Sequence, residues 1–169
     1  VPRRFPRVLA GDQQQPFGPH HSGRLRLARW LFAGEHPLTA RVMVNRLWRW
    51  HFGAGLVRTT NNFGILGAVP ENQPLLDWLA RRFMENGWSI KAMHRRILLS
   101  QTYQMSAGYD AQAARIDPEN RFRWRWSAQR LEAEVIRDAL LVVSGQLDST
   151  MGGSLLQTEN RKYVFHHSQ

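Results

Sequence analysis

The chain has 169 residues, a length that fits one domain with a hydrophobic core. It contains no cysteine, which excludes disulfide bonds, a thiolate zinc site and a C-x-x-C-H haem attachment in this piece. Its formal net charge is +10, with 23 Lys and Arg against 13 Asp and Glu. Such a charge favours a polyanionic partner, and a solvated arginine-rich surface is the ordinary alternative. No apolar run approaches the roughly 18 residues that a membrane-spanning helix needs.

The first fifty residues divide into an arm and two helices. Residues 1–21 are rich in Pro, Gly and Gln, a composition that predicts an extended arm or linker. A first helix is predicted over 22–33, with Ser22 as its N-cap. A central helix is predicted over 38–52, because its apolar residues recur at helical spacing and Gly53 can end it.

The central helix has one apolar and one polar face. Its predicted core face contains Ala40, Met43, Val44, Leu47, Trp48 and Trp50. The opposite face and the end of the helix provide the predicted binding residues, which are Arg41, Asn45, Arg46, Arg49 and His51. No acidic residue lies between Glu35 and Glu71, so these arginines must find partners elsewhere in the fold, on a ligand or in water.

A long loop rich in Gly, Asn and Thr follows over 53–74, and loops of this length are often functional. Phe63, Ile65 and Leu66 are expected to attach it to the core. Helices are predicted at 74–86 and at 89–102.

The last third of the chain begins with a predicted linker over 107–121. The alternating RFRWRW over 121–126 predicts an extended segment without a sheet, since no second strand candidate exists. A final helix is predicted over 128–144, with Ser127 as its N-cap. The sequence therefore predicts an all-α fold, a single irregular domain of about five helices with long loops over 22–150. Residues 151–169 read as the tail of a domain that continues beyond this fragment.

Five sequence blocks in order carry a resemblance to a known family. The blocks are NRLWRWHFGAGLV (45–57), LLDWLA (75–80), GWSIKAMHRRILLSQTY (87–103), DPENR (117–121) and RLEAEVIRDALLVVSG (130–145). Together they resemble a planctomycete domain of unknown function, the C-terminal domain of large, mostly secreted, cytochrome-associated proteins. The resemblance implies an extracytoplasmic (periplasmic or secreted) location, partner domains in the same polypeptide and haem in an upstream domain. It implies no catalytic residue.

The final helix is the densest source of carboxylates. Its charged residues can form a structural ion-pair network, predicted to contain Arg130, Glu132, Glu134, Arg137 and Asp138. The network is also expected to pair with Arg41, Arg46 or Arg49 of the central helix. A catalytic acid-base pair of Glu134 and Asp138 is the alternative interpretation.

Other chemical signatures are weak. The seven histidines are scattered without chelating spacing, so no metal or cofactor is predicted in this fragment, and His51 and His94 are interpreted as buried, hydrogen-bonded residues. No G-x-S-x-G, G-x-G-x-x-G or Walker sequence occurs. The Trp and Arg mixtures near Trp48 and Trp124 could stack on bases or sugars, although core packing is the preferred interpretation.

The functional prediction is a non-catalytic binding or scaffolding module within a larger extracytoplasmic, cytochrome-associated protein. Its predicted partners are other domains of the same polypeptide and an anionic ligand or polymer. A basic helical nucleic-acid-binding domain is the first alternative, and a hydrolase that uses the helix carboxylates is a weaker one.

Overall fold

A computed structural model describes residues 3–17, 22–34 and 36–150. This part of the chain contains helices and no strand, which confirms the all-α prediction. The helices are α1 (Arg7–Ala10), α2 (Arg24–Phe32), α3 (Thr39–Phe52), α4 (Gln73–Glu85), α5 (Ile90–Leu98), α6 (Ala111–Ile116) and α7 (Ala133–Val143). None of them is long and apolar enough to cross a membrane. The chain divides into two compact units, and the boundary lies between Gln129 and Arg130.

The core of the first unit is built from α3, α4, α5 and the loop after α3. Helix α3 packs against both α4 and α5. The buried core side chains are Ala40, Val44, Leu47, Trp48, Phe52, Leu56, Val57, Leu76, Leu79, Ala80, Phe83, Met93 and Ile97. Those of each helix recur three or four residues apart, as the helical period requires. One predicted core residue, Trp50, is instead largely exposed, because α4 and α5 cover a narrower arc of α3 than the sequence indicates.

The start of α3 is capped from outside the helix. His36 Nδ1 accepts hydrogen bonds from Leu38 N (3.3 Å) and from Thr39 N (3.1 Å), so it satisfies amides that no helical carbonyl can reach. The helix ends at Gly53, whose φ of 78° places it in the left-handed region that glycine tolerates best. The predicted stop is therefore confirmed.

Side-chain caps also position α4 and α5. Asn72 Oδ1 accepts from Leu75 N, and Ser89 Oγ accepts from Ala92 N, as predicted for Ser89. Helix α5 ends at Leu98, four residues before the predicted end. The chain turns there because Ser100 Oγ donates to Ile97 O (2.6 Å) and accepts from Tyr103 N (3.2 Å).

The N-terminal segment is folded rather than simply extended. It contains the single turn α1, and the Phe5 ring stacks on Trp30 of α2 with ring centroids 4.4 Å apart. Helix α2 begins at Arg24, because Gly23 in the left-handed conformation precedes it. The predicted cap at Ser22 is therefore wrong by one position.

Between Ala107 and Ser127 the chain differs from the predicted linker. Asp110 Oδ1 accepts from Gln112 N and Ala113 N and so caps the short helix α6. The following segment forms no strand, as predicted. Its alternation is interrupted at Arg123, where φ is 59°.

The second unit contains α7, which begins at Ala133 instead of residue 128. The predicted N-cap, Ser127, has another role, since its hydroxyl accepts from Asn120 Nδ2 (2.8 Å) within the first unit. No described side chain of α7 is buried, and most of its apolar residues, including Leu140 and Val143, are exposed.

Candidate functional site

Asn45 lies on the polar face of α3 but is fully buried, with 0% of its surface exposed. Its Nδ2 donates to Val57 O (3.0 Å), and its Oδ1 accepts from Val57 N (2.8 Å). Gly55 lies directly against this pair, because an added Cβ would come 2.6 Å from Val57 O and 2.8 Å from the Asn45 amide. Asn45 therefore fastens the loop after α3 onto the helix.

Two arginines of the same face contact the same loop. Arg49 Nη1 donates to Thr60 Oγ1 (3.3 Å), and Arg46 Nη2 donates to Asn61 Oδ1 (3.4 Å). Both side chains bond to neutral groups, and both residues remain exposed. Their positive charge thus stays available to solvent at the base of the loop.

Arg41 finds a carboxylate on α4. Its Nε donates to Asp77 Oδ1 (2.6 Å), and this hydrogen bond is the main reason that the pKa of Asp77 is lowered. The ion pair joins the first turn of α3 to α4. The expected pairing of Arg41, Arg46 or Arg49 with the carboxylates of the final helix stays a prediction.

Glu71 is a second attachment point of the loop. Its nearly buried carboxylate accepts from Arg58 Nε (2.7 Å) and from Arg121 Nε (2.9 Å), and this interaction raises the pKa of Arg121. Next to it, Arg123 donates to Phe52 O (3.0 Å) and Ala54 O (3.1 Å), which satisfies carbonyls at the end of α3. Burial lowers the pKa of Arg123. The loop is therefore held at both ends.

An open apolar groove of about 520 Å³ lies on the first unit. It is lined by Phe32, His36, Leu38, Thr39, Val42, Met43, Arg46, Phe83, Trp88 and Ile90. The rings of Phe32 and Trp88 meet edge to face, with centroids 5.0 Å apart, and Phe83 contacts Trp88 in the same way. Arg46, His36 and Thr39 provide the polar groups among these apolar side chains. Concave apolar surfaces with a few polar groups are typical of binding sites.

A pair of histidines joins α3 to α5. His51 Nε2 and His94 Nδ1 are 2.7 Å apart, so the two rings share a hydrogen bond, as predicted, but both residues are half-buried rather than buried. Burial, and then the charge of His94, lower the pKa of His51. Among residues 3–17, 22–34 and 36–150, no three His, Asp or Glu side chains are grouped closely enough to hold a metal ion.

The remaining predicted residues lie in different settings. In the second unit Arg137 Nη1 pairs with Asp138 Oδ1 (3.2 Å), whereas the wider network with Arg130, Glu132 and Glu134 stays a prediction. In the first unit Trp48 is in the core, and Trp124 Nε1 donates to Asp117 O (2.8 Å).

Comparison with known protein families shows which family the chain belongs to. The family PSD1, described as a protein of unknown function (DUF1553), matches residues 23–169. The chain belongs to the PSD1 family. No curated protein and no solved structure shows significant similarity to it.

Two histidines should make the stability of this PSD1 chain depend on pH. Burial lowers the pKa of both His36 and His51 below the ordinary value of 6.5. The unfolded chain therefore takes up protons first as the pH falls, so the free energy of unfolding should decrease below about pH 6.5. The decrease should level off once the pH passes the folded-state pKa values. Denaturant unfolding at pH 7.5, 6.5 and 5.5 measures this effect.

The control is a double variant that carries both His36→Asn and His51→Gln. Asn keeps an acceptor for the amides at the start of α3, and neither new side chain titrates. The combined variant should lose less stability between pH 7.5 and 5.5 than the natural chain. An equal loss in both would show that other groups cause the pH dependence.

Sequence reasoning missed the main attachments of the loop. Glu71 stood outside every predicted site, although its isolation between arginine-rich segments was a signal that could have identified it. The groove was missed because Met43 has the spacing of a core residue, while Val42 falls on the face that was predicted to be polar. Only the fold shows that these side chains meet at an open surface.

Proposed function

We propose that this PSD1 chain is a non-catalytic binding or scaffolding module of a larger extracytoplasmic, cytochrome-associated protein. The groove is its contact surface, and an apolar segment of another domain in the same polypeptide is the occupant. In this proposal haem belongs to the other domain, and the present chain supplies none of its ligands.

The observation that carries the proposal is the exposure of aromatic and aliphatic side chains in a preformed groove. Phe32 is 58% exposed although it contacts Trp88, and Ile90 beside it is also exposed. The walls are formed by packed helices, because Val42 and Met43 belong to α3 and Phe83 belongs to α4, which packs against α3. Exposed apolar patches in such settings mark interaction surfaces, and covering this one would remove apolar area from water.

Nucleic-acid binding is the second candidate function. It is favoured by the net charge of +10 and by the exposed Arg46 and Arg49, which bond only to neutral side chains in the hydrogen bonds described above. This candidate requires affinity for DNA or RNA that falls steeply with salt, because phosphate contacts release counterions. Groove docking depends on apolar contact and should be far less sensitive to salt.

Photo-cross-linking in the intact polypeptide tests the proposal. Phe32 at the edge of the groove is replaced by p-benzoylphenylalanine, and cross-linked peptides are identified by mass spectrometry. Tyr109 is the matched control, because it is an aromatic residue that is 71% exposed and lies outside the groove.

The expected result is a cross-link from position 32 to another domain of the same polypeptide and none from position 109. The yield should be unchanged on dilution, since the two partners are part of one chain. Cross-links from position 32 only to residues of this domain, or equal yields from both positions, would refute groove docking.

A further inference from the structure

The loop between α3 and α4 carries an apolar tip that does not contact the core. Ile65 is 101% exposed, Leu66 is 88% exposed and Val69 is 84% exposed. Phe63 packs against the core as expected, whereas the expectation that Ile65 and Leu66 do the same is wrong. We define the apolar tip as residues 64–69. Three exposed apolar side chains within five residues of one loop are costly for a soluble surface and indicate a contact site.

The shape of the apolar tip is determined by a hydrogen-bond network at its base. Thr59 Oγ1 donates to Asn62 O (2.8 Å) and accepts from Ala68 N (2.8 Å). Asn62 Oδ1 accepts from Gly64 N (2.9 Å), and Gly67 N donates to Gly64 O (2.8 Å). Gly67 is required here, because a Cβ would come 2.3 Å from Asn62 O. The exposed side chains therefore project from an ordered turn.

Positive charge surrounds the base of the same loop. Arg46 contacts Asn61 and Arg49 contacts Thr60, and both arginines are exposed. Among the described residues of the first unit, no ion pair joins either of them to a carboxylate. Arg58, by contrast, pairs with Glu71 (2.7 Å) and lies 3.8 Å from Glu119, so the excess positive charge at the base of the loop comes from Arg46 and Arg49.

From this combination we infer that the apolar tip inserts into the surface of an anionic lipid membrane. Ile65, Leu66 and Val69 enter the boundary between headgroups and acyl chains, while Arg46 and Arg49 contact lipid phosphates. Apolar residues that project beyond a basic rim are the arrangement that peripheral membrane contacts require. The tip is too small for a stable protein interface, which usually buries about 800 Å² per partner. This inference does not depend on the proposed groove docking.

Vesicle co-sedimentation of the full chain tests the inference. The probes are vesicles of phosphatidylglycerol with phosphatidylcholine and vesicles of phosphatidylcholine alone, each at low and at physiological salt. The test variant is Ile65→Ser with Leu66→Ser. The matched control is Ile116→Ser with Leu99→Ser, which removes the same two exposed side-chain types elsewhere on the first unit. Circular dichroism verifies that both variants fold.

The expected result is binding to the anionic vesicles that weakens with salt, and at least a tenfold loss of partitioning in the tip variant. The control variant should bind like the natural chain. If the tip variant bound the anionic vesicles as well as the natural chain does, the interaction would depend on charge alone, and the inference would be overturned. If the natural chain bound neither kind of vesicle, the membrane inference would also be overturned, and a protein would be the remaining candidate partner of the apolar tip.

Discussion

Replacing Leu47 by Ala should lower the free energy of unfolding by about 2–5 kcal/mol, the range found for buried leucines. Leu47 lies at the centre of α3, and its side chain is completely buried between α4, α5 and the loop. The substitution removes apolar contacts and leaves a cavity that the rigid helix pair cannot close. Urea unfolding followed by circular dichroism measures the change.

Leu66→Ala is the matched control, because the same substitution is made at an exposed position of the apolar tip. Its effect should stay within about 0.5 kcal/mol, as for most surface substitutions. Similar losses at the two positions would mean that the tip is packed in solution and that the exposed turn described here is absent. The comparison therefore also tests the premise of the membrane inference.

Helices α2, α3, α4 and α5 were predictable because local rules determine them, whereas the short α1 and α6 lie in the predicted arm and linker. The apolar positions of α3 and α4 recur at the helical period, and Ser89 and Gly53 mark helix ends in the way their chemistry predicts. Boundaries were less accurate where a distant group decides them. Ser127 is engaged by Asn120 and so does not cap α7, a contact that no local pattern indicates.

The candidate site was only partly predictable. The arginines and Asn45 of α3 were predicted to be binding residues, but the sequence could not show that the loop folds back over this face and buries Asn45. Helical periodicity reports which residues share a face and does not report what covers it. For the same reason, Phe32 and Trp88, which lie far apart in the chain, could not be assigned to one groove.

Asn45→Ala should lower the free energy of unfolding by about 2–5 kcal/mol. The substitution leaves the buried N–H and C=O of Val57 without partners, and each unsatisfied buried group costs about 1–3 kcal/mol. The loss should also release the loop, so that amide hydrogen exchange at residues 55–62 accelerates more than exchange within α4. Arg46→Ala is the control from the same helix face, since it removes one long and exposed hydrogen bond (3.4 Å).

The central claim is that the polar face of α3 serves mainly as the internal support of the loop, which leaves the groove and the apolar tip as contact surfaces. The difference in unfolding free energy between Asn45→Ala and Arg46→Ala tests this claim most directly. A loss of at least about 2 kcal/mol for Asn45→Ala, with less than about 0.5 kcal/mol for Arg46→Ala, is the predicted result. Near-equal, small losses for both variants would contradict it, because the loop would then not depend on Asn45 and the face would be free to bind a ligand.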